Sequence, residues 1–354
     1  MTLKDIGYTP ILENYRIDNG LDAFEVARVI AEHKERYVVK TISGEYEAEI
    51  LGNMRFTAQS RADFPAVGDW VAISLFDEKA LIHQIYPRSS LIERQAVGKH
   101  GDKQIIAANV DYALIVQAVD RDFNLNRFER YLTICYQAGV EPVLLLSKVD
   151  LIEEQERENL LLMVRKRIPD VPVFAISNET NFGLETLKQS IEKGKTYCLL
   201  GSSGVGKSTL LNSIFGDEVM KTDAISAHAE RGRHVTTHRE MRFMPGGGIV
   251  IDNPGMREVG IADAGDGLET TFSVIAELAE DCKFKDCTHQ SETDCAVLEA
   301  LECGELDEAT YSNYLRMMRE KQHFETSALD KRRKDKLFGR MMKNYKKGGY
   351  NKYD

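Results

Sequence analysis

The sequence predicts an α/β protein in three parts: a barrel of short strands, a core of alternating strands and helices, and a mostly helical C-terminal segment. Short β-like runs spaced about ten residues apart favour a small barrel in the first part. Apolar runs alternate with helical periodicity in the second, which favours a mostly parallel sheet covered on both faces. Four of the six cysteines lie between residues 282 and 303, in the third part.

Composition fits a soluble protein with real cores, since 43% of the 354 residues are hydrophobic and 29% are charged. No window approaches 18 uncharged apolar residues, so we expect no transmembrane helix and no membrane partner. The N-terminus carries acids and has no apolar core of a signal peptide, which predicts a cytoplasmic protein. In that compartment clustered cysteines favour metal binding over disulfides.

Charge is distributed unevenly along the chain. The net charge is −10, yet Lys331–Asp354 carries ten Lys/Arg and two Asp, so that segment is +8 and the rest is −18. This asymmetry indicates a basic tail on an acidic body, and Phe338, Tyr345 and Tyr350 are interleaved with the charges. Contact with RNA and a simply solvated tail are both open interpretations.

Residues 1–25 are interpreted as a polar N-terminal extension, and residues 26–95 as the barrel. The predicted strands are Glu25–Ile30, Arg36–Ile42, Glu45–Leu51, Trp70–Leu75 and Ala80–Tyr86. A five-stranded OB-type barrel, a fold that often binds nucleic acid, fits this length. Periodicity does not separate it from an SH3-like barrel, and a purely structural role stays open.

A connector, Ser89–Asn109, leads into the core, which we place at residues 96–262. Its predicted strands are Tyr112–Val116, Pro142–Leu146, Val171–Ile176, Tyr197–Leu200, Glu240–Met244 and Gly248–Ile251, the last two forming a hairpin. Its predicted helices are Arg127–Ala138, Glu153–Arg167 and Leu184–Lys193, followed by one that begins at Thr209. Residues 263–354 form the third part, with a helix over Leu306–Gln322 before the basic tail.

The stretch Gly201–Ser208 matches the phosphate-binding pattern G-x-x-x-x-G-K-[ST] at every fixed position, between a predicted strand and a predicted helix. Glycines let the backbone N–H groups point at a phosphate, and the helix N-terminus favours negative charge. Lys207 would reach the β- and γ-phosphates, and Ser208 would bind Mg²⁺. The predicted phosphate-binding residues are Gly201, Ser202, Ser203, Gly204, Val205, Gly206, Lys207, Ser208 and Thr209.

Two loops before this motif indicate guanine as the base. The run LLLSKVD (Leu144–Asp150) is close to the [NT]-K-x-D signature, in which the carboxylate accepts hydrogen bonds from guanine but finds no matching donors on adenine. Ser147 replaces the usual Asn, and this shorter side chain is expected to weaken the tie to the phosphate loop. Ala175–Asn178 resembles the serine loop that meets guanine O6, with Asn178 in place of Ala. The predicted base-binding residues are Ser147, Lys148, Asp150, Ser177 and Asn178.

Two elements after the phosphate motif complete the predicted nucleotide-binding site. IVIDNPG (Ile249–Gly255) reads as a D-x-x-G element, with Asp252 at Mg²⁺ and Gly255 near the γ-phosphate. The second element, Gly232–Thr237, lies between the phosphate motif and IVIDNPG. One of its threonines would complete the Mg²⁺ shell, and the candidates are Thr236 and Thr237. Because the base-reading loops precede the phosphate loop, the order predicts a circularly permuted P-loop GTPase core binding GTP or GDP.

A zinc site is predicted from Cys282-x4-Cys287-x-His289-x5-Cys295. Three thiolates and one imidazole suit tetrahedral Zn²⁺ with no open position, which indicates one structural ion. Cys303 falls outside this pattern and is interpreted as a free or buried thiol. The ion would hold together a segment too small to fold alone.

The order of motifs, FPAVGDWV (Phe64–Val71), IIAANVDYALIV (Ile105–Val116), the GRHVTT loop and the Cys/His cluster together resemble the RsgA/YjeQ family. The resemblance implies an OB domain, a permuted GTPase domain and a zinc domain. It also implies hydrolysis of GTP stimulated by the 30S ribosomal subunit, binding to 16S rRNA and a role late in small-subunit assembly. We expect a monomer with no DNA partner.

Catalysis must differ from that of Ras-type enzymes, because Met256 stands where their water-orienting Gln would follow D-x-x-G. The resemblance points instead to the loop histidine, His234, as the residue that positions water. The predicted catalytic residues are His234, Lys207, Thr236 and Thr237. Alternative functions are a regulatory GTPase that does not act on the ribosome and, against the guanine motifs, a P-loop small-molecule kinase.

Overall fold

The structure is a computed structural model that describes residues 2–33, 36–58, 60–77, 79–95, 103–120, 123–216, 240–252 and 265–323. Within these ranges no helix is both long and apolar enough to span a membrane. Several predicted functional residues lie outside the described residues, and so does the basic tail. They are His234, Thr236, Thr237, Gly255 and Met256.

The described strands are β1 (Glu25–His33), β2 (Arg36–Lys40), β3 (Glu45–Ile50), β4 (Trp70–Phe76), β5 (Lys79–Ile85), β6 (Leu91–Gln95), β7 (Lys103–Ala108), β8 (Tyr112–Ala118), β9 (Glu141–Ser147), β10 (Val173–Ala175), β11 (Thr196–Leu200), β12 (Glu240–Phe243) and β13 (Ile249–Asp252). The described helices are α1 (Pro10–Asp18), α2 (Gly52–Thr57), α3 (Leu125–Ala138), α4 (Glu154–Arg167), α5 (Leu184–Ser190), α6 (Lys207–Phe215), α7 (Gly265–Thr271), α8 (Ser273–Glu280), α9 (Ala296–Glu302) and α10 (308–323).

Strands β1 to β5 form a closed barrel. The order is β1-β2-β3-β5-β4, the β1–β4 pairing closes it, and β3 runs parallel to β5. Val29, Val39, Val71, Ile73 and Ile82 fill its interior without exposed surface, because alternate residues of each strand face inward. The prediction of a five-stranded OB-type barrel is confirmed.

The core sheet has the order β10-β9-β8-β11-β13-β12, with parallel pairing throughout except for the β12–β13 hairpin. Helices α3 and α4 pack on one face through Phe128 and Val164, and helices α5 and α6 pack on the other through Leu187 and Leu211. Because the strands carrying the base-reading loops come before the P-loop strand β11 in the chain, the predicted permuted α/β core is confirmed.

Two segments hold more structure than the sequence indicated. Residues interpreted as a polar extension form a 3₁₀ turn (Leu3–Ile6) and helix α1, and Ile6 and Leu12 pack with Trp70 on the outside of the barrel. The turn is capped reciprocally by Thr2 and Asp5, a signal that the sequence does contain. The connector likewise contains the antiparallel β6–β7 hairpin.

The barrel and the core share one sheet of eleven strands, because β1 pairs with β12 as well as with β2 and β4. The junction register sets Ala31 of the barrel opposite Glu240, the first residue of β12. Glu240 is in turn opposite Asp252 of β13. One strand of the core therefore separates the barrel from the strand that ends at Asp252.

Arg28 of β1 is buried at this junction and connects four segments. Its guanidinium donates to the carbonyl oxygens of Ile6 at 2.7 Å, Asn109 at 3.1 Å and Gly68 at 3.3 Å, and to Thr196 Oγ1 at 2.8 Å. Burial lowers the pKa of Arg28 to about 10. A charged group is accepted here because its donors are satisfied by three backbone carbonyl oxygens and the Thr196 hydroxyl.

Helices α7 to α10 pack around their own apolar cluster, which includes Leu268, Phe272 and Val297. This C-terminal domain docks on α3 of the core. Glycine is required at residue 267 of α7, because a Cβ there would lie 2.4 Å from the Thr133 carbonyl oxygen. The predicted helix over Leu306–Gln322 corresponds to α10 at 308–323.

Candidate functional site

The phosphate loop runs from the end of β11 to the start of α6. Gly201 adopts a φ of +144°, and a Cβ there would lie 2.3 Å from the Val116 carbonyl oxygen of the neighbouring strand. Gly204 and Gly206 also have positive φ values, of 82° and 94°. Side chains at these positions would oppose the backbone curl, so the spacing of the three glycines follows from the loop conformation.

Lys207 of the phosphate loop and Asp252 at the end of β13 interact electrostatically. The Lys207 Nζ donates to the carbonyl oxygens of Gly201 at 2.7 Å and Ser202 at 2.6 Å. Burial raises the pKa of the Asp252 carboxyl, while the positive charges of Arg242 and Lys207 act in the opposite direction. A cation and an acid thus adjoin the N-terminus of α6, as binding of a phosphate with Mg²⁺ requires.

Ser147 ties the first base-reading loop to the phosphate loop. Its side chain is 1% exposed, and its hydroxyl donates to the Val205 carbonyl oxygen at 2.7 Å. The loops approach closely enough for a serine side chain to span them, and a weaker tie than an Asn would give stays a prediction. The next residue, Lys148, takes a left-handed conformation with φ of 60°, and its Nζ lies 3.4 Å from Asp120 Oδ2.

The second base-reading loop contacts both the first loop and the phosphate loop. Buried Ser177 donates its hydroxyl to Asp150 and accepts from the backbone N–H groups of Glu179 and Thr180. Asn178 Nδ2 donates to the Gly206 carbonyl oxygen at 3.4 Å. These bonds fix the Asp150 carboxylate at the carboxyl ends of β9 and β10, the edge at which open α/β sheets bind ligands.

Tyr131 of α3 is a residue that the sequence analysis missed. It is 4% exposed. Burial raises the pKa of Tyr131, and the nearby side chain of Ser202 in the phosphate loop acts in the opposite direction. Its helical spacing marks it as a core residue, and no local pattern predicts its approach to a loop more than seventy residues away in sequence.

The Cys/His cluster is assembled as predicted. One ligand atom from each of Cys282, Cys287, His289 and Cys295 lies within 4.8 Å of the others. The His289 Nδ1 is 3.6 Å from Cys282 Sγ and 3.4 Å from Cys295 Sγ, and those two sulfurs are 3.8 Å apart. A tetrahedron with metal–sulfur bonds of about 2.3 Å has edges of about 3.8 Å, so the donor set fits a tetrahedral zinc site.

The loop that carries these ligands is braced by bonds outside the cluster. The Tyr311 hydroxyl of α10 donates to the His289 carbonyl oxygen at 2.6 Å. Glu292 accepts from the backbone N–H groups of Thr288 at 2.9 Å and of Gln290 and Ser291 at 3.0 Å. Such contacts orient the ligands around the cluster.

The permuted α/β core, the P-loop and the two base-reading loops define a circularly permuted P-loop GTPase. The family model described as RsgA GTPase matches residues 85–262. Small ribosomal subunit biogenesis GTPase RsgA 1 of Oceanobacillus iheyensis is 42% identical, over 85% of this chain and 86% of its own length. The chain belongs to the RsgA GTPase family, and it is a GTP-hydrolysing enzyme.

A further relative and two solved structures are similar to this chain over most of its length. Small ribosomal subunit biogenesis GTPase RsgA of Methanosarcina acetivorans is 41% identical over 82% of this chain and 78% of its own length. The crystal structure of YjeQ from Thermotoga maritima superposes with a TM-score of 0.65 at 26% identity, covering 84% of this chain and 98% of that one. The structure of YloQ, a circularly permuted GTPase, gives a TM-score of 0.64 at 26% identity, covering 85% and 96%.

Proposed function

We propose that this GTPase acts in late maturation of the small ribosomal subunit and that the 30S subunit stimulates its GTP hydrolysis. The observation that carries the proposal is the similarity to small ribosomal subunit biogenesis GTPases over 85% and 82% of this chain. A closed OB-type barrel beside the nucleotide site supports a partner with exposed RNA, and we propose 16S rRNA.

Roles for the nucleotide-site residues follow from their positions. Lys207, at the first turn of α6, is proposed to bind the β- and γ-phosphates, and Asp150 the guanine edge. Ser147 and Asn178 hold the two base-reading loops against the phosphate loop, and Ser177 orients Asp150. The stem of Lys148 is proposed to lie along the face of the base. Ser208 and Asp252 are proposed to hold Mg²⁺, which when bound neutralises developing phosphate charge.

Hydrolysis is proposed to depend on the Gly232–Thr237 loop, which lies outside the described residues. His234 would orient the attacking water, and Thr236 or Thr237 would approach Mg²⁺. Because Met256 cannot orient water, we expect slow turnover by the protein alone. The Cys/His cluster is proposed to bind one structural Zn²⁺, supported by its donor set and by the distances within it.

We further propose a division into an extension (1–25), a barrel (26–95), a GTPase domain (96–262) and a zinc domain with the basic tail (263–354), in a cytoplasmic monomer. The tail would bind rRNA phosphates, so its removal should weaken 30S binding and reduce the steepness with which salt weakens it.

The deciding experiment measures GTP hydrolysis by the protein alone, with purified 30S subunits and with 50S subunits as a control. We expect strong stimulation by 30S alone, and unchanged turnover would contradict the proposal. His234→Ala should retain GTP affinity and lose the stimulation. Full stimulated turnover in that variant would remove His234 from the mechanism, and binding of ATP in preference to GTP would favour a kinase.

A further inference from the structure

The carboxyl end of β8 lies between the base-reading loops and the phosphate loop. In the core sheet β8 pairs in parallel with β9 on one side and with β11 on the other, so all three strands end at the same edge. Asp150 follows β9, and the phosphate loop follows β11. A nucleotide that reaches from Asp150 to that loop must therefore cross the end of β8. Residues that follow β8 are thus placed to affect nucleotide binding, and none of the sequence motifs includes them.

Asp120 is the first charged residue after β8, and its side chain contacts the lysine of the first base-reading loop. The Asp120 Oδ2 lies 3.4 Å from Lys148 Nζ. The two side chains are 33% and 28% exposed, so this ion pair is partly shielded from screening by salt. The stem of Lys148 therefore extends from the end of β9 toward the end of β8, along the direction in which a bound nucleotide would lie.

The backbone on both sides of Asp120 is fixed by hydrogen bonds. The Val119 N–H donates to the Ser147 carbonyl oxygen at 3.0 Å, which joins the end of β8 to the end of β9. The buried side chain of Gln117 makes two hydrogen bonds with the backbone of Asn124, at 3.1 and 3.2 Å. The Asp120 carboxylate is therefore held close to the lysine by the fold itself, and less conformational entropy is lost when the pair forms.

The backbone of Lys148 is fixed as well, whereas its side chain is long and flexible. Lys148 has a φ of 60°, a conformation that is uncommon for a lysine. The N–H of the next residue, Val149, donates to the Ile176 carbonyl oxygen at 3.3 Å, and the Lys148 carbonyl oxygen accepts from the Leu151 N–H at 3.1 Å. The backbone thus sets where the side chain begins, and the ion pair with Asp120 sets where it ends.

We propose that Asp120 is a positioning residue for nucleotide binding: it holds the Lys148 ammonium so that the stem of Lys148 lies along the face of the base. This role rests on the proposed role of Lys148 at the base. Asp120 acts through the lysine, because a stem already held in its binding conformation loses less entropy when the nucleotide binds. Since GTP and GDP share the base, Asp120 should contribute equally to the binding of both.

The test measures GTP and GDP dissociation constants of the full-length protein without ribosomes, so it does not depend on stimulation by 30S. Asp120→Asn keeps the size of the side chain and removes its charge. We expect both affinities to fall by the same factor, about 2- to 5-fold, the effect of losing one ion pair. Asp170→Asn changes an exposed acid before the start of β10, at the opposite edge of the sheet. This matched control should bind both nucleotides normally.

Lys148→Met shows whether Asp120 acts through the lysine, because it keeps an apolar stem and removes the ammonium. In that background Asp120→Asn should change neither dissociation constant further. A full loss of affinity from Asp120→Asn in the Lys148→Met background would overturn the proposal. A lower melting temperature with unchanged dissociation constants would also overturn it, since Asp120 would then be purely structural.

Lys148→Ala separates this proposal from the role on which it rests, because it removes the stem as well as the charge. That variant must lose affinity for GTP and GDP if the stem lies along the base. Normal binding by Lys148→Ala would refute the role of the lysine, and the role of Asp120 with it. Weak binding by Lys148→Ala together with normal binding by Asp120→Asn would refute the role of Asp120 alone.

Discussion

Arg28 offers a direct test of how the barrel is joined to the GTPase core. Arg28→Met preserves the length and apolar stem of the side chain but removes all of its hydrogen-bond donors. The carbonyl oxygens of Ile6 and Asn109 lose this partner, at about 1–3 kcal/mol each. Gly68 keeps a donor, since Asn109 Nδ2 also reaches its carbonyl oxygen at 3.1 Å. Removing a desolvated charge offsets part of the cost, so we expect the free energy of unfolding to fall by about 2–4 kcal/mol.

The protein contains its own probe for this measurement. Trp70 is the single tryptophan of the chain, is 1% exposed, and lies 5.2 Å beneath the Arg28 guanidinium. Urea unfolding followed by its fluorescence therefore reports the junction itself. Arg55→Met, on an exposed position of α2, is the matched control and should change stability by less than about 0.5 kcal/mol. An Arg28→Met protein as stable as this control would refute the reasoning.

Three more outcomes are expected. Ser147→Ala should weaken GTP binding about 2- to 10-fold in a direct titration, because the Val205 carbonyl oxygen loses its donor; unchanged affinity would show that the loops stay joined without it. Asp150→Asn should weaken GTP binding about 100-fold, since one of the two acceptor oxygens is replaced by an NH2 donor that opposes a guanine N–H, and the remaining hydrogen bond loses its charge. Competition between GTP and xanthosine triphosphate should reveal a shifted preference, and retained GTP selectivity would count against Asp150. Cys282→Ser should abolish binding of about one zinc per chain, and hydrogen exchange should speed up more in residues 265–323 than in residues 112–216. Cys303→Ser should keep the metal, and equal metal content in the two variants would contradict the site.

The sequence was most informative where function depends on consecutive residues. The glycines of the phosphate loop are dictated by local φ values and by contact with the adjacent strand, so Gly201–Gly206 could be identified from spacing alone. The same holds for the ligands at residues 282–295, which one short loop brings together. Helix α3 was also predicted nearly to its ends, because Gly139 adopts the left-handed conformation that terminates it.

Contacts between distant segments were not predictable. Asn313 and Glu129 are 184 positions apart, and Arg28 and Thr196 are 168 apart, so no periodicity relates them. Helix α1 was missed because it is only nine residues long and buries a single side chain, Leu12, which leaves little apolar pattern to detect. That the Ser147 side chain reaches the phosphate loop could not be read from the sequence, since loop separation is a property of the folded sheet.

The pairing of β1 with β12 has a practical consequence for anyone who divides this protein into fragments. A fragment lacking residues 26–95 would leave β12 with an open edge of unpaired N–H and C=O groups, and such edges recruit strands from other molecules. It would also lose Ile30, a barrel residue that belongs to the apolar interior of the GTPase core. Loss of activity after such a deletion would then report self-association of the fragment, so single substitutions such as Arg28→Met are the safer way to separate the contributions of the two halves.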